Sequence, residues 1–473
     1  MNSISGKNDI NWAAFADRLA PIQVISEPVL VKKRSRDFFW YSPILNEQLK
    51  RSFGDLVARP KSTAELKRCL AAAYEADAPV VMRGGGTGNY GQAVPVDGGL
   101  IIETTAMNRV LEIGDDWVRV EAGALMADIN AALKPHGREM AMFPSTLDIA
   151  TIGGFVAGGS AGIGSLTNGR LREAGNLIEV RALSLEGAPE ERVFAGEDAM
   201  NVHHAWGLNG AITEVTLRTV PSYDWVACIA TFDSYEAAYE AGYALSVSDM
   251  APKLVSVVDA RIAAYFPRLV GHIRAEKDLL VSYIPPDDLP ALTRLIAERG
   301  GALDLALNDA EREAQRIPHA FEFSYNHTTL QVLKSDRSAT YQQIGVPDAA
   351  DAAAITALRA DLGEDVWTHH EFLRGGGEVG AIDLPIIWFT TEERLDAINR
   401  TYLAHGFAVY DAHKNHIEGG GVHDADYAHL AWKKRMDPKG LMNSAKSIAW
   451  PTVMHLTPEE IEARSTSGAA SAT

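Results

Sequence analysis

Apolar residues near the start of the chain recur at a spacing typical of helices. A short strand is predicted around Val57, before Pro60. The segment after it places apolar side chains at i, i+3, i+4 and i+7, namely Leu66, Cys69, Leu70 and Ala73. This spacing predicts an amphipathic helix, and Ser62 with Glu65 has the pattern of the capping box that opens one. The helix is expected to end before Pro79.

The next apolar pattern has the two-residue spacing of strands. Val118 and Val120 alternate with charged neighbours, as expected of a half-exposed strand. A helix with one apolar side follows and is broken at Pro135. Two more strands are predicted over residues 178–187 and 206–221. This order of elements predicts a mixed α+β domain and not a regular βαβ array.

Glycine is concentrated in two segments, which we call the first and the second glycine stretch. The first, residues 84–88, follows a predicted strand that ends at Arg83. The second, residues 151–165, reads TIGGFVAGGSAGIGS. Consecutive glycines allow positive φ angles, so that successive N–H groups point at one site. Such a site binds anions, most often phosphate. Two of them in one domain predict a ligand with two phosphates.

A dinucleotide-binding Rossmann turn is the main alternative, because Gly86, Gly88 and Gly91 fit the pattern G-x-G-x-x-G. That motif requires a helix to begin inside the turn. Here Pro95 and the pair Gly98–Gly99 follow, and they are incompatible with an amphipathic helix. A surface loop without function would leave the second glycine stretch unexplained. Both alternatives are therefore disfavoured.

Composition limits the classes of function. A chain of 473 residues can bury a large core and is expected to form two domains. Its formal net charge of −18 argues against nucleic acid or an anionic membrane surface as partner. The two cysteines, Cys69 and Cys228, suggest no disulfide framework and are expected in the core. The first residues lack a signal-peptide pattern, so a reduced cytoplasm is the expected compartment.

One uncharged segment, residues 149–166, has about the length of a membrane span. It is crowded with glycine, which adds little apolar surface, and it lacks flanking Trp or Tyr anchors. No membrane span is expected.

Six segments together carry a family pattern: VARPKSTAEL, RGGGTG, VRVEAGA, TIGGFVAGGSAGIGS, NGAITEVTLR and DPKGLMNSAK. In combination they resemble the FAD-linked oxidases of the vanillyl-alcohol oxidase and p-cresol methylhydroxylase (PCMH) type. The resemblance covers about residues 50–222 and 436–449. The combination is highly specific, whereas no single segment would be.

The resemblance implies an α+β fold: a two-part PCMH-type FAD-binding domain and a substrate (cap) domain with an antiparallel sheet flanked by helices. FAD would lie extended across the first domain, with its pyrophosphate on the two glycine stretches and Ile212 near the adenine side. The residues assigned in this way to FAD binding are Arg83, Gly84, Gly85, Gly86, Thr87, Gly88, Asn89, Pro144, Ser145, Thr146, Thr151, Ile152, Gly153, Gly154, Gly158, Gly159, Ala161, Gly162, Ser165, Ile212, Asn443 and Lys446.

Many members of this family attach the flavin to a histidine at the fifth position of R-x-G-G-H. Thr87 holds that position here, so non-covalent FAD is predicted.

The resemblance also suggests where the domains divide. We expect the FAD-binding domain over residues 1–222, with its core at 50–222, and the cap domain over 223–436. Residues 437–460 would return to the FAD-binding domain, and residues 461–473 would form a disordered tail.

Within the cap region, helices are predicted after Ser234 and after Asp351. The segment DLPIIWF, residues 383–389, reads as a buried strand, and LRGGGEVGA, residues 373–381, as a loop.

The densest polar group in the cap region is YDAHKNHIEGGGVHD, which contains Tyr410, His413, Lys414, His416, Glu418, His423 and Asp424. The functional interpretation is a substrate site in which His416 or His413 takes the hydroxyl proton while hydride passes to the flavin. A histidine suits this role because its pKa lies near working pH. The alternative is a mobile surface loop with exposed histidines.

The same segment has one feature of a metal site. His416 and His423 show the H-x6-H spacing of the metal-dependent D-2-hydroxyacid dehydrogenases of this superfamily. Those relatives carry a later Glu-His-Gly motif, which is missing here before Asp437, so no metal is predicted. Another alignment places His413 at the histidine of the P-H-W-x-K motif of sugar-lactone and alditol oxidases, although Trp and Pro are absent.

Other polar clusters are weaker candidates. Tyr325, Asn326 and His327 are candidates to line the substrate cavity, and Tyr325 is a catalytic candidate. Arg374 could hold a substrate carboxylate by a two-pronged contact, or could be a solvated or structural arginine. The pair His203–His204 is expected to be structural.

The sequence thus predicts an FAD-dependent oxidase or dehydrogenase that oxidises an alcohol, hydroxy acid or related hydroxylated small molecule. The arginine, lysine and histidines of the cap region indicate a polar, anionic substrate. Two alternatives stay open. One is a flavin-dependent C=C reductase, as in the sterol-reductase branch of the same fold. The other is a non-catalytic flavoprotein subunit of an electron-transfer complex, whose iron–sulfur clusters would lie in the partner. A homodimer is one candidate assembly.

Overall fold

The computed structural model describes residues 10–159, 161–418 and 425–468. The N-terminal unit mixes short helices with strands. Its helices are α1 (Trp12–Leu19), α2 (Pro28–Arg34), α3 (Pro43–Leu49), α4 (Thr63–Glu75), α5 (Met126–Leu133), α6 (Ile152–Gly158) and α7 (Ser165–Asn168). Its strands are β1 (Gln23–Ile25), β2 (Leu56–Arg59), β3 (Val80–Arg83), β4 (Leu100–Glu103), β5 (Val110–Ile113), β6 (Trp117–Glu121), β7 (Arg138–Met140), β8 (Leu177–Leu183), β9 (Glu191–Ala195) and β10 (Ala211–Pro221).

The first sheet has the strand order β1–β2–β4–β3, with β2, β4 and β3 parallel. Helix α4 packs on it through the predicted apolar stripe, which is buried. The Ser62 hydroxyl accepts a hydrogen bond from the N–H of Glu65 at 3.2 Å, which confirms the N-cap. The carboxylate of Glu65 instead binds the N–H of Lys61 at 2.8 Å, so the reciprocal half of the predicted capping box is wrong.

The connection between β3 and β4 decides against a Rossmann turn. The two strands are parallel neighbours, yet the structure describes every residue of the connection, 84–99, and none of them is helical. Gly86, Gly91, Gly98 and Gly99 all have positive φ angles there. The chain therefore crosses between parallel strands in an extended glycine-rich loop, without a helix N-terminus at its first turn.

The second sheet has the order β5–β6–β10–β8–β9, and β7 pairs with the end of β10. On β6, Val118 and Val120 are fully buried, whereas Arg119 forms an ion pair with Glu112 at 2.7 Å. The predicted alternation is thus confirmed. Helix α5 also follows as predicted and ends before Pro135.

The middle of the chain forms a second unit. Its strands are β11 (Val226–Phe232), β12 (Leu254–Val258), β13 (Asp278–Ile284), β14 (Ala302–Leu307), β15 (Ala339–Tyr341), β16 (Gln343–Gly345), β17 (Val366–Trp367), β18 (His369–Gly375), β19 (Glu378–Asp383), β20 (Ile386–Trp388) and β21 (Ala408–Tyr410). Its helices are α8 (Tyr235–Ser246), α9 (Ala260–Ala263), α10 (Leu289–Glu298), α11 (Asp309–Gln315), α12 (Asn326–Leu333), α13 (Ala352–Leu362) and α14 (Glu392–Ala404).

Most of these strands join one antiparallel sheet, in the order β14–β11–β13–β12–β18–β19–β16–β21. Helices α8, α10, α13 and α14 cover one face, where Tyr239, Leu280, Leu358 and Tyr402 share a buried cluster. The other face turns toward the N-terminal unit. The predicted helices after Ser234 and Asp351 are confirmed as α8 and α13. An antiparallel sheet flanked by helices, beside a mixed N-terminal unit, is the predicted α+β fold.

The segment predicted as a loop over residues 373–381 is instead a β-hairpin. Strands β18 and β19 pair in register from His370 with Asp383 to Gly375 with Glu378. Gly376 and Gly377 both have positive φ, which is what a tight two-residue turn between antiparallel strands requires. The glycines that suggested a loop therefore form only its tip. The predicted strand over 383–389 is shorter than expected and is confined to β20.

The C-terminal elements α15 (Tyr427–Met436), α16 (Trp450–Val453) and α17 (Pro458–Gly468) return to the N-terminal unit. Helix α15 already lies there: the ring of Trp432 packs edge-on against Phe194, with centroids 5.2 Å apart. The ring nitrogen Nε2 of His429 bonds the carbonyl of Met200 at 2.8 Å. The domain boundary at residue 436 stays a prediction. That boundary assigns α15 to the cap domain, although the helix contacts the N-terminal unit.

The tail predicted from residue 461 is in part an ordered helix. Helix α17 runs to Gly468, and Ile461 is fully buried in a cluster with Trp450 and Val453. The expected disordered tail is therefore wrong for residues 461–468, because Ile461 has apolar partners that the polar composition did not reveal. Residues 469–473 lie outside the described part of the chain.

A buried ion pair holds the start of this return. The Nζ of Lys433 lies 2.9 Å from the carboxylate of Asp437, and neither side chain is exposed. We expect Lys433→Met to lower the free energy of unfolding by about 3–5 kcal/mol, because it leaves a buried carboxylate without its counter-charge. Urea denaturation followed by circular dichroism measures this change.

The matched control lies on the same helix. Arg435 pairs with Glu462 at 2.8 Å at a solvent-exposed site. Arg435→Met is expected to cost less than about 1 kcal/mol. Equal losses in the two variants would show that burial of the Lys433 pair is not what stabilises this segment.

The uncharged segment 149–166 contains the short helix α6 and the first residues of α7 within the N-terminal unit. In the described ranges, none of the helices combines the length and the apolar content that crossing a bilayer requires.

Candidate active site

A cavity of about 780 Å³ lies between the N-terminal unit and the large sheet. The two glycine stretches form one side of it. The opposite side comes from β18, β19, the segment 343–346, the first turn of α12 and the loop 410–417. Its volume lies in the range of ligand and cofactor sites, about 300–1,000 Å³.

The first glycine stretch fits its surroundings only without side chains. A Cβ on Gly84 would lie 2.0 Å from the hydroxyl oxygen of Thr151, and a Cβ on Gly85 would lie 2.0 Å from the carbonyl oxygen of Ile149. Gly86 has a φ of +67°, which glycine adopts without strain. The main chain here thus passes directly against the second glycine stretch.

The second glycine stretch is packed as closely. A Cβ on Gly153 would lie 2.7 Å from the Cβ of Ala122, and one on Gly162 would lie 2.2 Å from the carbonyl oxygen of Phe143. The hydroxyl of Thr151 caps α6 by accepting from the N–H of Gly154 at 3.3 Å. Because Thr151 also touches Gly84, the two stretches form one continuous bare-backbone surface on the cavity.

Buried polar groups around this surface have free hydrogen-bonding capacity. The amide nitrogen of Asn89 and the indole nitrogen of Trp206 are buried, line the cavity and have no hydrogen-bond partner. The rings of Tyr90 and Trp206 stack at 6.0 Å. Bare backbone, unpaired donors and an aromatic wall fit an extended nucleotide with two phosphates.

Most of the residues predicted to hold the cofactor line this cavity: Arg83, Gly84, Gly85, Gly86, Thr87, Gly88, Asn89, Pro144, Ser145, Thr146, Thr151, Gly153, Gly154, Gly158, Gly159, Ala161, Gly162 and Ile212.

Four of the predicted cofactor residues lie behind the wall instead. Ile152 is fully buried in the core. The Ser165 hydroxyl accepts from the N–H of Gly162 at 2.9 Å and so supports the second stretch. The side chain of Asn443 donates to the carbonyls of Gln92 and Trp206 at 2.9 and 2.7 Å. Lys446 is fully buried, with no hydrogen-bond partner for its Nζ.

Three buried charges lie beside the first stretch. Burial raises the pKa of Asp37 to about 6, although N–H groups of Phe39 and Ala93 bond its carboxylate. Burial lowers the pKa of Lys446 to about 8, and the charge of Asp37 opposes that shift. Burial also lowers the pKa of Arg83, whose guanidinium donates to the carbonyl of Arg36 at 2.7 Å. Two cationic side chains and one carboxylate are therefore buried beside the first stretch.

Of the four catalytic candidates, His416 and Tyr325 line the cavity. Burial lowers the pKa of His416 from 6.5, and the positive charge of Lys446 lowers it further. The loop that carries His416 is held by a hydrogen bond from the N–H of Ile417 to the carbonyl of Lys446, at 2.8 Å. The hydroxyl of Tyr325 donates to the carbonyl of Gly162 at 2.9 Å.

The other two candidates do not reach the cavity. His413 is buried, and its Nδ1 shares a 2.7 Å hydrogen bond with the hydroxyl of Ser42. Arg374 donates to the carbonyls of Leu166 and Gly377 at 3.2 and 2.8 Å. Leu373, its neighbour on β18, is the residue that lines the cavity. Successive side chains of a strand point to opposite faces, so Arg374 is directed away.

The remaining residues of the polar loop have separate positions. Tyr410 and Lys414 line the cavity. The carboxylate of Glu418 accepts from the N–H of Ile448 at 2.9 Å and fixes the loop to the C-terminal return. His423 and Asp424 lie outside the described residues. Within the residues the structure describes, no group of three or more His, Cys, Asp or Glu side chains could hold a metal ion.

Sequence reasoning missed several residues of the cavity. Asp37, Phe38 and Tyr41 line it from the N-terminal residues. Arg170 lines it from the segment after α7. His204 was expected to be structural but lies in the lining, with a φ of +51°. No local motif marks these positions, since each reaches the cavity through long-range packing.

Comparisons with known proteins agree with this geometry. Residues 54–188 match the family described as "FAD binding domain". Glycolate oxidase subunit GlcD of Bacillus subtilis is 27% identical over 225 residues, which cover 44% of this chain and 46% of that protein. D-2-hydroxyglutarate dehydrogenase of Pseudomonas putida is 42% identical over 107 residues, or 22% of this chain and 10% of that protein. The matches thus span about half or less of the relatives' length.

Solved structures show the same fold at low identity. An alkyldihydroxyacetonephosphate synthase aligns with a TM-score of 0.70 at 15% identity, covering 93% of this chain and 86% of that one. The BBE-like 1 protein of Physcomitrella patens aligns with a TM-score of 0.66 at 13% identity, covering 92% and 99%. With the bare-backbone cavity, these findings show that the chain carries an FAD binding domain over residues 54–188, that its cofactor is FAD and that it shares the fold of these two solved proteins.

Proposed function

We propose that the protein is an FAD-dependent oxidoreductase that oxidises a 2-hydroxy acid or a related hydroxylated small molecule, with His416 as the base. The observation that carries this proposal is that the bare-backbone surface and the imidazole of His416 line one cavity. The names of the relatives support a hydroxy acid, since they are a glycolate oxidase subunit and a D-2-hydroxyglutarate dehydrogenase.

The cofactor would be held by the chain's own backbone. Residues 84–88 would offer N–H groups to the pyrophosphate, with the bare backbone of the second glycine stretch beside them, and Arg83 would add positive charge. Thr87 lines the cavity at the position where a tethering histidine would stand, which supports non-covalent binding. When bound, FAD supplies a two-electron acceptor that takes hydride at N5.

His416 has the environment that a general base needs. Burial and the charge of Lys446 lower its pKa below 6.5, so its imidazole is neutral at pH 7 and has a ring nitrogen free to accept a proton. Glu418 opposes the shift and favours the protonated form after transfer. The half-buried position limits access of water to that proton.

We expect kcat/KM to fall when the pH is lowered below neutral. Only neutral His416 accepts a proton, so kcat/KM should be at its plateau at pH 7 and fall as the pH drops through the His416 pKa, below 6.5. Steady-state rates with a reactive hydroxy acid across pH 4–8 measure this limb. A limb centred above pH 7 would show that His416 is not the base.

The proposed reaction is tested by anaerobic bleaching of the flavin. The purified protein is mixed without oxygen with hydroxy acids, phenols, polyols and lactones, and flavin absorbance is followed. We expect bleaching by at least one 2-hydroxy acid and none by NADPH alone. Bleaching by NADPH alone would favour a reductase, and lack of bleaching by every small donor would contradict the proposal.

A second candidate function follows from one relative's name. GlcD is named as a subunit, so this chain is proposed to work with a partner protein in the same way. Gel filtration of the protein expressed in its own host, followed by mass spectrometry of the flavin-containing fraction, identifies such a partner. Elution as the chain alone, with full activity, would contradict this second candidate.

A further inference from the structure

The first turn of α12 presents an unusual set of polar groups to the cavity. Asn326 and His327 line it, opposite the glycine stretches. Tyr325 precedes the helix and makes no side-chain cap hydrogen bond to it. The N-terminus of an eight-residue helix, with its positive dipole end, therefore faces the cavity without a capping side chain.

His327 is paired on the side away from the cavity. Its Nδ1 lies 3.2 Å from the Glu322 carboxylate, and its side chain is 8% exposed. Because the ring lies in the cavity wall and Nδ1 faces Glu322, Nε2 is the nitrogen left for a ligand. The carboxylate orients the imidazole.

The acid of this pair is ionised at neutral pH. Burial alone would raise the pKa of Glu322, but the hydrogen bond and positive charge of His327 lower it overall, with Lys334 adding to the shift. Glu322 is thus an anion beside His327. In the proposed bound state the imidazole would place one N–H toward this acid and the other toward an anion in the cavity.

The backbone before the helix is fixed in a strained conformation. Tyr325 has a φ of +47°, which non-glycine residues rarely adopt. Its N–H donates to the buried carboxylate of Glu371 at 2.6 Å, and its hydroxyl donates to the carbonyl of Gly162 at 2.9 Å. The strain is therefore held by contacts on both sides of the cavity, which sets the position of the helix start relative to the second glycine stretch.

We infer that the first turn of α12 is a carboxylate subsite, in which Nε2–H of His327, backed by Glu322, and the amide of Asn326 bind the carboxylate of the substrate. This inference rests on the proposed function, since it assigns the acid group of the proposed hydroxy acid to the wall carrying His327 and leaves its hydroxyl to His416. It makes the enzyme selective for hydroxy acids over neutral alcohols.

Two other cations on the cavity, Lys414 and Arg170, are less suited to this role. Lys414 has a side chain 51% exposed and pairs with Asp411 at 3.3 Å. Arg170 pairs with Glu173 at 3.2 Å and is 38% exposed. Water screens a charge at such positions, whereas the buried imidazole acts in a medium of lower dielectric constant.

The test uses oxalate, an inert dicarboxylate, and the full FAD-loaded chain. Oxalate affinity is measured by calorimetry and by perturbation of the flavin spectrum, with flavin content and melting temperature as controls of integrity. We expect His327→Gln to weaken oxalate binding about tenfold or more. Glu322→Gln, which keeps the imidazole and removes its counter-charge at a partly exposed position, should weaken it in the same direction. If His327→Gln does not fold, the result for Glu322→Gln decides the test.

Three outcomes would overturn the subsite: no oxalate binding to the wild type, wild-type affinity in both variants, or a loss confined to Lys414→Met. The result is separable from the proposed reaction. Weakened oxalate binding with no flavin bleaching by hydroxy acids would keep the subsite and reject the reaction. Flavin bleaching by hydroxy acids, with oxalate affinity unchanged in both variants, would keep the reaction and reject the subsite.

Discussion

Gly85→Ala is expected to weaken FAD binding about 10- to 100-fold, so that the variant is purified without colour. The added Cβ would lie 2.0 Å from the carbonyl oxygen of Ile149, a backbone atom that cannot rotate away. The two glycine stretches must then separate, and the N–H groups of residues 84–88 are displaced from their positions on the cavity. Titration of the flavin-free protein with FAD, followed by flavin fluorescence, measures the loss.

The matched control is another glycine of the same domain. A Cβ on exposed Gly187 would make its nearest contact at 3.6 Å, with the ring of Tyr74. Gly187→Ala is expected to bind FAD as the wild type does. If Gly85→Ala also retained FAD with wild-type affinity, the glycine stretches would not be the surface that holds the pyrophosphate.

His416→Gln is expected to lower the rate of anaerobic flavin bleaching about 100- to 10,000-fold, the range that general-base catalysis contributes. The amide of glutamine can hydrogen-bond the substrate hydroxyl but cannot take its proton. FAD content should stay that of the wild type, because the contacts of the glycine stretches do not involve His416. Single-turnover bleaching in a stopped-flow instrument separates this step from substrate binding.

His413→Gln provides the comparison on the same loop. His413 lies behind the cavity wall on Ser42, so this variant should bleach within a few-fold of the wild-type rate while losing some thermal stability. Equal bleaching by wild type and His416→Gln would remove His416 from the reaction. A large loss in His413→Gln alone would move the proton transfer to the other histidine.

Local patterns in the sequence account for the elements around the cofactor side of the cavity. Alternating Val118 and Val120 correctly predicted a strand, and the apolar stripe of Leu66 correctly predicted α4. The glycine stretches could be recognised because bare backbone is itself a local chemical signal: no other residue fits where Gly84 and Gly85 lie. The absence of a helix after Gly88 followed equally from Pro95.

Residues on the substrate side could not be placed in the same way. Arg374 and Leu373 are adjacent, and only the register of β18 decides which of them faces the cavity. A shift of one residue would exchange them, and nothing in the segment 373–381 sets that register by itself. The proposal that Arg374 holds a carboxylate therefore depended on a long-range fact.

The position of Asp37 on the cavity also depends on contacts between residues that are distant in sequence. It lies far from the glycine stretches in sequence, and its environment arises only when the chain brings residues 37–41 beside the first stretch. Burial there raises its pKa to about 6, which composition cannot indicate. The strained φ of Tyr325 and the Glu322–His327 pair are likewise consequences of tertiary packing.

The most direct test of the account is the flavin content of the purified full-length chain. We predict a yellow protein whose flavin, after acid precipitation, is recovered in the supernatant and is FAD by chromatography. Flavin that stays with the precipitate would contradict only the non-covalent attachment inferred from Thr87. A colourless protein that takes up no added FAD would contradict the central claim that the two glycine stretches together hold a dinucleotide.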